Sequence, residues 1–458
     1  MQTKFQIKDA AHSIIVAAGV AMVVPIAVFC ASYGESAVIL LAGCVMLLVA
    51  WLSPREYLPV MGMILVALHS ATLFPALAGL GQDGVQKIAL IAVMAVLIIR
   101  TGYRVTLPIW PVVIPFTLVF VFNITTATYT SVIGGSGIFR AFLGYVFAWF
   151  LLNVRWTERG ALATIRLVSF LPLVSVVLGG MLHLLGVSSV YRIEYTGAFR
   201  LSGAAIPAHL AMLAFVAVCA SIYLVLRENA SGSARILVIL NLTLLAATVT
   251  RGAILAALLM LVLICAGVIG AGSGVSREIN RFIKQLAVAT VVLGVAIWPQ
   301  IAIRNAGNGY ESGLNTSGRD DAWAFYLRLA EQNTWVGNGL GFGNIANRVY
   351  HPANVQAAFE APHNEYLHLY LDMGILGAIA VGIGFAVLFF AVRRATQGLT
   401  RTLVSAFFAA TCLYAYFDNV LSTVQFTVPF ALLIGAICSL PSRGSHGYKN
   451  VKDRMVVS

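Results

Sequence analysis

An all-α, polytopic membrane helix bundle, with about 12–14 transmembrane helices and one long outer loop carrying short amphipathic helices, is predicted by three features of the sequence. The first is composition. Of 458 residues, 60% are hydrophobic and only 10% charged, with a mean hydropathy of +0.90, whereas soluble globular domains carry about a quarter charged residues. The second is the recurrence of apolar runs close to the roughly 20 residues that cross a bilayer core of about 30 Å. The third is the distribution of Lys and Arg, which collect in alternate connections between those runs. The net charge of +12 would suggest nucleic acid in a soluble chain; here the bases sort first by side of the membrane, and no nucleic-acid partner is implied.

Lys4 and Lys8 precede an apolar run from Ile14 to Ala31. A second run follows at once, so the first reads as a membrane helix and not as a cleaved signal peptide. About fourteen runs are present, centred near Met22, Val45, Ile64, Met94, Pro115, Phe147 and Val176, then Phe215, Leu244, Leu261, Val292, Gly382, Phe408 and Leu432. Thr250-Arg251-Gly252 breaks what would otherwise be one apolar stretch from about Ile236 to Ile269. All six cysteines (Cys30, Cys44, Cys219, Cys265, Cys412, Cys438) lie in apolar runs, so neither a disulfide framework nor a metal cluster is implied. Leu41-Ala42-Gly43-Cys44 has the form of a lipoprotein cleavage box but lies inside the second run.

With the N-terminus inside, the even-numbered connections and both ends of the chain hold 20 of the 29 Lys and Arg residues. This bias predicts cytoplasmic N and C termini and an outer loop at residues 303–362. The chain then divides into N-terminal membrane helices (1–199), membrane helices bearing outer arginines (200–302), the loop (303–362), C-terminal membrane helices (363–440) and a basic tail (441–458).

The nine outer bases are Lys87, Arg140, Arg192, Arg200, Arg251, Arg304, Arg319, Arg328 and Arg348. Topology alone gives no reason for them. Arg251 interrupts an apolar stretch, where a guanidinium is costly unless it faces a wet or anionic cavity, although it could instead snorkel from a tight hairpin. Arg200 opens the polar patch Arg200-Leu201-Ser202-Gly203 that leads into a helix at Pro207. A planar guanidinium matches phosphate oxygens bidentately, so two such residues on one face suggest a phosphate or pyrophosphate ligand.

Within the loop, Ser317 and Asp320 have capping-box spacing, and Trp323, Tyr326, Leu327 and Ala330 recur at helical spacing, predicting an amphipathic helix lying on the membrane. Gly337, Gly339, Gly341 and Gly343 follow with no strand before them, so they read as a tight turn and not a nucleotide loop. Trp335, Phe342 and Tyr350 suit interfacial anchoring or sugar stacking. Asp320-Asp321, the one outer acidic pair, falls inside the proposed cap, and no metal site is expected. At the loop's end stands Pro362-His363-Asn364-Glu365-Tyr366-Leu367. Pro362 suits a helix start, which places His363 in a first turn with free backbone N–H groups; the structural alternative is a histidine that merely caps a membrane helix.

These motifs, Arg200-Leu201-Ser202-Gly203, Thr250-Arg251-Gly252-Ala253, Ser317-Gly318-Arg319 with Trp323, Gly337-Asn338-Gly339-Leu340-Gly341 and His363-Asn364-Glu365-Tyr366-Leu367 through Gly374 and Gly377, resemble the O-antigen ligase and polymerase superfamily in order and in sidedness. The resemblance spans about Arg200 to Ala378. One departure is Thr334, where the family often has proline. The resemblance implies a bacterial inner-membrane glycosyltransferase with a periplasmic site that takes a glycan from undecaprenyl pyrophosphate. Arg200 and Arg251 would hold the donor pyrophosphate and His363 would act on the acceptor hydroxyl, with Arg319, Asn364, Tyr366 and Arg140 as secondary candidates. It implies an inverting-type transfer, with lipid A core as acceptor for a ligase or a second lipid-linked repeat for a polymerase, membrane lipids as surroundings, and no cofactor. A lipid-linked oligosaccharide transporter is the competing class, but transporters favour midplane charges and internal repeats, and the sequence shows neither.

Overall fold

The computed structural model describes residues 35–68, 82–194, 197–228, 230–272, 275–306, 318–353, 355 and 360–441. It is an all-α membrane bundle. Its helices are α1 (Glu35–Leu52), α2 (Leu58–Ala67), α3 (Gln82–Thr101), α4 (Trp110–Thr125), α5 (Ala127–Ile133), α6 (Gly135–Val146), α7 (Glu158–Leu184), α8 (Pro207–Arg227), α9 (Gly232–Ala247), α10 (Arg251–Gly270) and α11 (Arg277–Ala306). They continue with α12 (Arg319–Gln332), α13 (Ala346–Tyr350), α14 (Glu365–Ala395), α15 (Gly398–Phe417) and α16 (Val424–Ser439). Thirteen of the fourteen apolar runs are helical at their centres; the run near Met22, the lipoprotein-like residues before Gly43 as side chains, and the basic tail from 442 lie outside what is described. Six helices are individually long and apolar enough to cross a membrane, and α4 with α5, bent by 91°, makes a seventh broken span.

Local chemistry sets several helix starts. Thr157 caps α7 by accepting the Gly160 N–H at 3.1 Å. Pro207 opens α8, where its missing N–H costs nothing. Asn364 caps α14 through the Leu367 N–H at 3.1 Å. The core is centred on α8, whose side chains are buried nearly throughout. Phe215 of α8 stacks or tilts against Phe407 and Tyr414 of α15 and Phe426 of α16. Small residues let backbones meet: a Cβ at Gly384 of α14 would lie 2.2 Å from the Pro111 carbonyl oxygen of α4. By contrast α11 leaves Val288, Val291, Val292, Val295 and Trp298 exposed, as a lipid-facing helix does.

The bases mark the two ends of this bundle. At one end Arg166 pairs with Glu228, Arg227 with Glu158 and Arg235 with Glu278. At the other lie the ends of α9, α11 and α15 and the starts of α10, α12, α14 and α16, with a two-stranded antiparallel hairpin, β1 (Tyr191–Ile193) and β2 (Phe199–Leu201), in which Arg192 stands opposite Arg200. Runs of three residues carry no periodic signal, and this hairpin was not foreseen.

Three sequence expectations shift in the structure. The helix after residues 307–317 begins at Arg319 with left-handed Gly318 as its N-cap, one residue later than the cap expected at Ser317, which itself lies outside the described residues. Its buried face is Ala322, Phe325, Tyr326, Leu329 and Ala330, packed with Leu371 of α14, while Leu327 is exposed. The helix therefore packs its apolar face on the protein. His363 precedes the cap of α14 and is not in its first turn.

Candidate active site

α14 begins at a junction built from both sides. Pro362 is held by the Trp323 Nε1–H, which donates to its carbonyl at 2.8 Å, and Trp323 also packs edge-on against Tyr416. Buried Glu365 accepts the Leu421 N–H at 2.7 Å, tying α14 to the turn between α15 and α16. His363, between these anchors, has φ 49°, a left-handed backbone that a non-glycine residue adopts only where surrounding contacts enforce it.

The same turn supplies Asp418. Its Oδ1 lies 3.1 Å from His363 Nδ1 and also accepts the Asn419 N–H at 2.9 Å. The carboxylate is hidden, at 7% exposed, whereas the imidazole is 35% exposed, so the ring presents its far edge outward. Burial alone would push the Asp418 carboxyl up, but the hydrogen bond and charge of His363, with the Arg319 charge, outweigh it and hold the group below its ordinary range. Ionised Asp418 accepts from Nδ1–H, so in the neutral ring Nε2 is the proton acceptor, and protonated at Nε2 the ring carries the positive charge that Asp418 faces.

Beside this pair is a cluster of guanidiniums. Arg200 Nε donates to the Thr248 carbonyl at 2.9 Å and a terminal nitrogen to Thr250 Oγ1 at 3.0 Å. Arg304 donates to the Val249 carbonyl at 2.6 Å, and Arg251 to Asn305 Oδ1 at 2.6 Å. The break between α9 and α10, foreseen at Thr250-Arg251-Gly252, is thus the seat of the cluster. Glu194 bridges Arg200 and Arg304. Burial and the Arg304 charge lower Arg200 to about 10, still protonated at neutral pH, while Arg319 is lowered by burial and feels both Asp418 and Arg304. Arg251 and Arg319 are also the first residues of α10 and α12, where the helix dipole favours anions and a cation is disfavoured without one. The arrangement places several positive charges next to a carboxylate-oriented imidazole.

Of the secondary candidates, Arg319 joins this cluster. Asn364 serves as a helix cap, and Tyr366 donates to the Cys412 carbonyl at 2.8 Å, linking α14 to α15. Arg140 is exposed on α6, and no hydrogen bond or ion pair joins it to the cluster among the described residues. Asp418, Glu194 and Arg304 as a cluster member were missed. The available signal was that Glu194 and Asp418, in Ile193-Glu194-Tyr195 and Phe417-Asp418-Asn419, are each the single acidic residue of a short outer connection.

The glycine turn has a structural task. Asp372, two turns inside α14, accepts the Gly341 and Gly343 N–H groups at 2.8 Å each, and the Asn338 and Gly339 N–H groups bond the Leu371 and Asp372 carbonyls at 2.8 and 3.0 Å. Charge is thus not confined to helix ends, as the sequence suggested, but this carboxylate is occupied. Buried His368 lies against Asp372 and bonds Tyr145 at 3.2 Å. Thr334, the departure from the family pattern, accepts the Ile375 N–H through its carbonyl at 2.8 Å, a role indifferent to its side chain. Among the described residues no group of three His, Cys, Asp or Glu has the geometry to hold a metal ion.

Residues 236–382 match the O-antigen ligase family. Over that stretch, about a third of the chain, the sequence is similar to the O-antigen ligases. No curated protein matches the chain. The matched stretch runs from α9 into α14 and contains Arg251, Arg304, Arg319 and His363; Arg200, Glu194 and Asp418 reach the cluster from outside it.

Proposed function

We propose that the chain transfers a glycan from undecaprenyl pyrophosphate to an acceptor hydroxyl at the periplasmic face of the inner membrane, as an O-antigen ligase whose acceptor is lipid A core. The observation that carries this is the juxtaposition of the His363–Asp418 pair with the tethered arginines. His363 Nε2 takes the proton of the acceptor hydroxyl as its oxygen attacks the anomeric carbon. The bond from that carbon to the pyrophosphate oxygen breaks, and its electron pair leaves with the pyrophosphate. Asp418 stabilises the imidazolium, and Arg200 and Arg251 neutralise the charge growing on the leaving group. Attack opposite the leaving group inverts the anomeric centre. An apolar groove between α9, α10 and α11, lined by Leu242, Leu245, Ile254, Leu258, Leu293 and Ile297, begins about one helical turn along α10 from Arg251, which suits a lipid-linked donor.

The test is transfer by the purified protein, supplied with undecaprenyl-pyrophosphate glycan and lipid A core. Formation of the glycosylated core is the expected result; none, with folded protein, would reject the reading. Deleting the gene separates the acceptors. A ligase loss leaves lipid A core uncapped, whereas a polymerase loss leaves single repeats on it. Single repeats would replace lipid A core by a second lipid-linked repeat as acceptor.

A further inference from the structure

Arg200 and Arg304 are held on two sides with unequal firmness. From behind, both are fixed by the α9–α10 break, Arg200 through the Thr248 carbonyl and Thr250 Oγ1 and Arg304 through the Val249 carbonyl. In front, each binds one oxygen of the same carboxylate: Glu194 Oε1 meets Arg200, and Oε2 lies 2.9 Å from Arg304 Nε. Both guanidiniums are largely buried, and the bonds that tether them to the α9–α10 break do not involve Glu194.

Glu194 rides on the least anchored of these elements. It directly follows β1, a strand of three exposed residues paired with β2, whose Tyr191 ring also lies against His183 of α7. Its backbone bonds stay within the hairpin, the Glu194 N–H to the Ala198 carbonyl at 3.0 Å and the Gly197 N–H to the Glu194 carbonyl at 2.8 Å. A contact to α11, the Phe199 N–H to Gln300 Oε1 at 3.0 Å, is made from the other strand. Moving Glu194 away therefore costs one side-chain bridge and leaves the hairpin ladder and the arginine tethers intact.

A carboxylate spanning two fixed guanidiniums occupies the place that two oxygens of a phosphoryl group would take, since both anions meet the guanidinium fork in the same way. A diphosphate arriving with Glu194 in place would meet a like charge. With Glu194 withdrawn, it gains Arg304 as well as Arg200 and Arg251. We infer that Glu194 is a resident anion that the donor's diphosphate displaces, and that Arg304 is thereby a third diphosphate-binding residue. This rests on the proposed donor and assigns to it a residue, Arg304, and an exchange step.

The experiment uses full-length protein in nanodiscs with inorganic pyrophosphate and with undecaprenyl-pyrophosphate glycan. Glu194→Gln removes the competing charge while keeping the side chain's shape. It should tighten pyrophosphate binding and lower the donor KM by about fivefold or more, with kcat little changed, a coupling of ordinary size between mutually exclusive ligands. Adding Arg304→Ala to it should abolish that gain. An unchanged or raised KM in Glu194→Gln would overturn the inference and make Glu194 a structural counter-ion. Should that variant fail to fold, hydrogen exchange on the wild type decides: pyrophosphate should speed exchange of the 191–201 amides and slow that of 248–252, and slower exchange in both segments would overturn the exchange step. Pyrophosphate binding requires no glycan transfer, so release of the hairpin in a protein that transfers nothing would reject the proposed function alone.

Discussion

At the scale of single residues, His363 and His351 make the sharpest contrast. Both have left-handed backbones, φ 49° and 43°, so strain does not separate them. What separates them is Asp418, hydrogen-bonded to His363, whereas His351 ends α13 as an exposed residue. A positioned base contributes about 10²- to 10⁴-fold, so His363→Ala should cut turnover by that order in protein that still inserts, while His351→Ala stays near the wild-type rate. Asp418→Asn should lower kcat by about tenfold or more with little change in donor KM, because an amide no longer selects the tautomer or stabilises the imidazolium. Equal rates for His363→Ala and wild type would return His363 to a capping role. Arg200→Lys and Arg251→Lys should each raise the donor KM, since an ammonium cannot reproduce a fork that reaches an anion while also holding Thr248 and Thr250, as Arg200 does, or Asn305, as Arg251 does; wild-type KM in both would remove them from the donor site. The donor set also predicts that transfer by purified protein persists in excess EDTA, because a pyrophosphate leaving group flanked by arginines needs no further cation; loss under EDTA that magnesium or manganese restores would contradict this.

At the scale of elements, the glycine turn and α14 are built for each other. Gly374 breaks the helix with φ 68°, and a Cβ there would lie 2.3 Å from the Trp335 carbonyl carbon; one at Gly337, φ 76°, would lie 2.5 Å from the Asp372 backbone. Each Gly→Ala change combines left-handed strain of about 1–3 kcal/mol with a backbone overlap that no rotamer relieves. Both variants should unfold earlier in detergent, whereas Gly382→Ala, with nothing within 4 Å of its Cβ, should match or slightly exceed wild type. Equal melting of all three would contradict the docked turn. These elements also show where the sequence was readable. The membrane helices announce themselves because the bilayer demands long apolar runs, and the α9–α10 break because Arg251 cannot be hidden in one. The turn was visible in its glycines but its dock was not, since Gly341 and Gly343 meet Asp372 only through a tertiary approach. The start of α14 was misjudged because Asn364 outcompeted Pro362 for the cap. Asp418, 55 residues from His363, could be paired with it only by the fold.

At the scale of the molecule, the functional reading depends on which end of the bundle faces which compartment. One end gathers Arg166, Arg227 and Arg235 in ion pairs with Glu228, Glu158 and Glu278, and the other gathers Arg200, Arg251, Arg304 and Arg319 around His363 and Asp418. Both ends are basic, so counting charges near the site alone would not orient the chain. The difference is in number and in form. The first end takes most of the 20 bases that the sequence assigns inside, spread over many short connections as the positive-inside rule describes. The second draws four of its nine bases, Arg200, Arg251, Arg304 and Arg319, into one cluster tied to backbone carbonyls, Asn305 and Glu194, which is the pattern of a binding site and not of a topogenic signal. The site end is therefore expected to be periplasmic and both termini cytoplasmic. An alkaline-phosphatase fusion at Asn347, in the loop that supplies α13, should be active, and one at Ser458 inactive. The reverse pattern would put the cluster and His363 on the cytoplasmic side, away from a donor presented at the periplasmic face, and the proposed transfer would fall with the topology even if every contact in the cluster were correct.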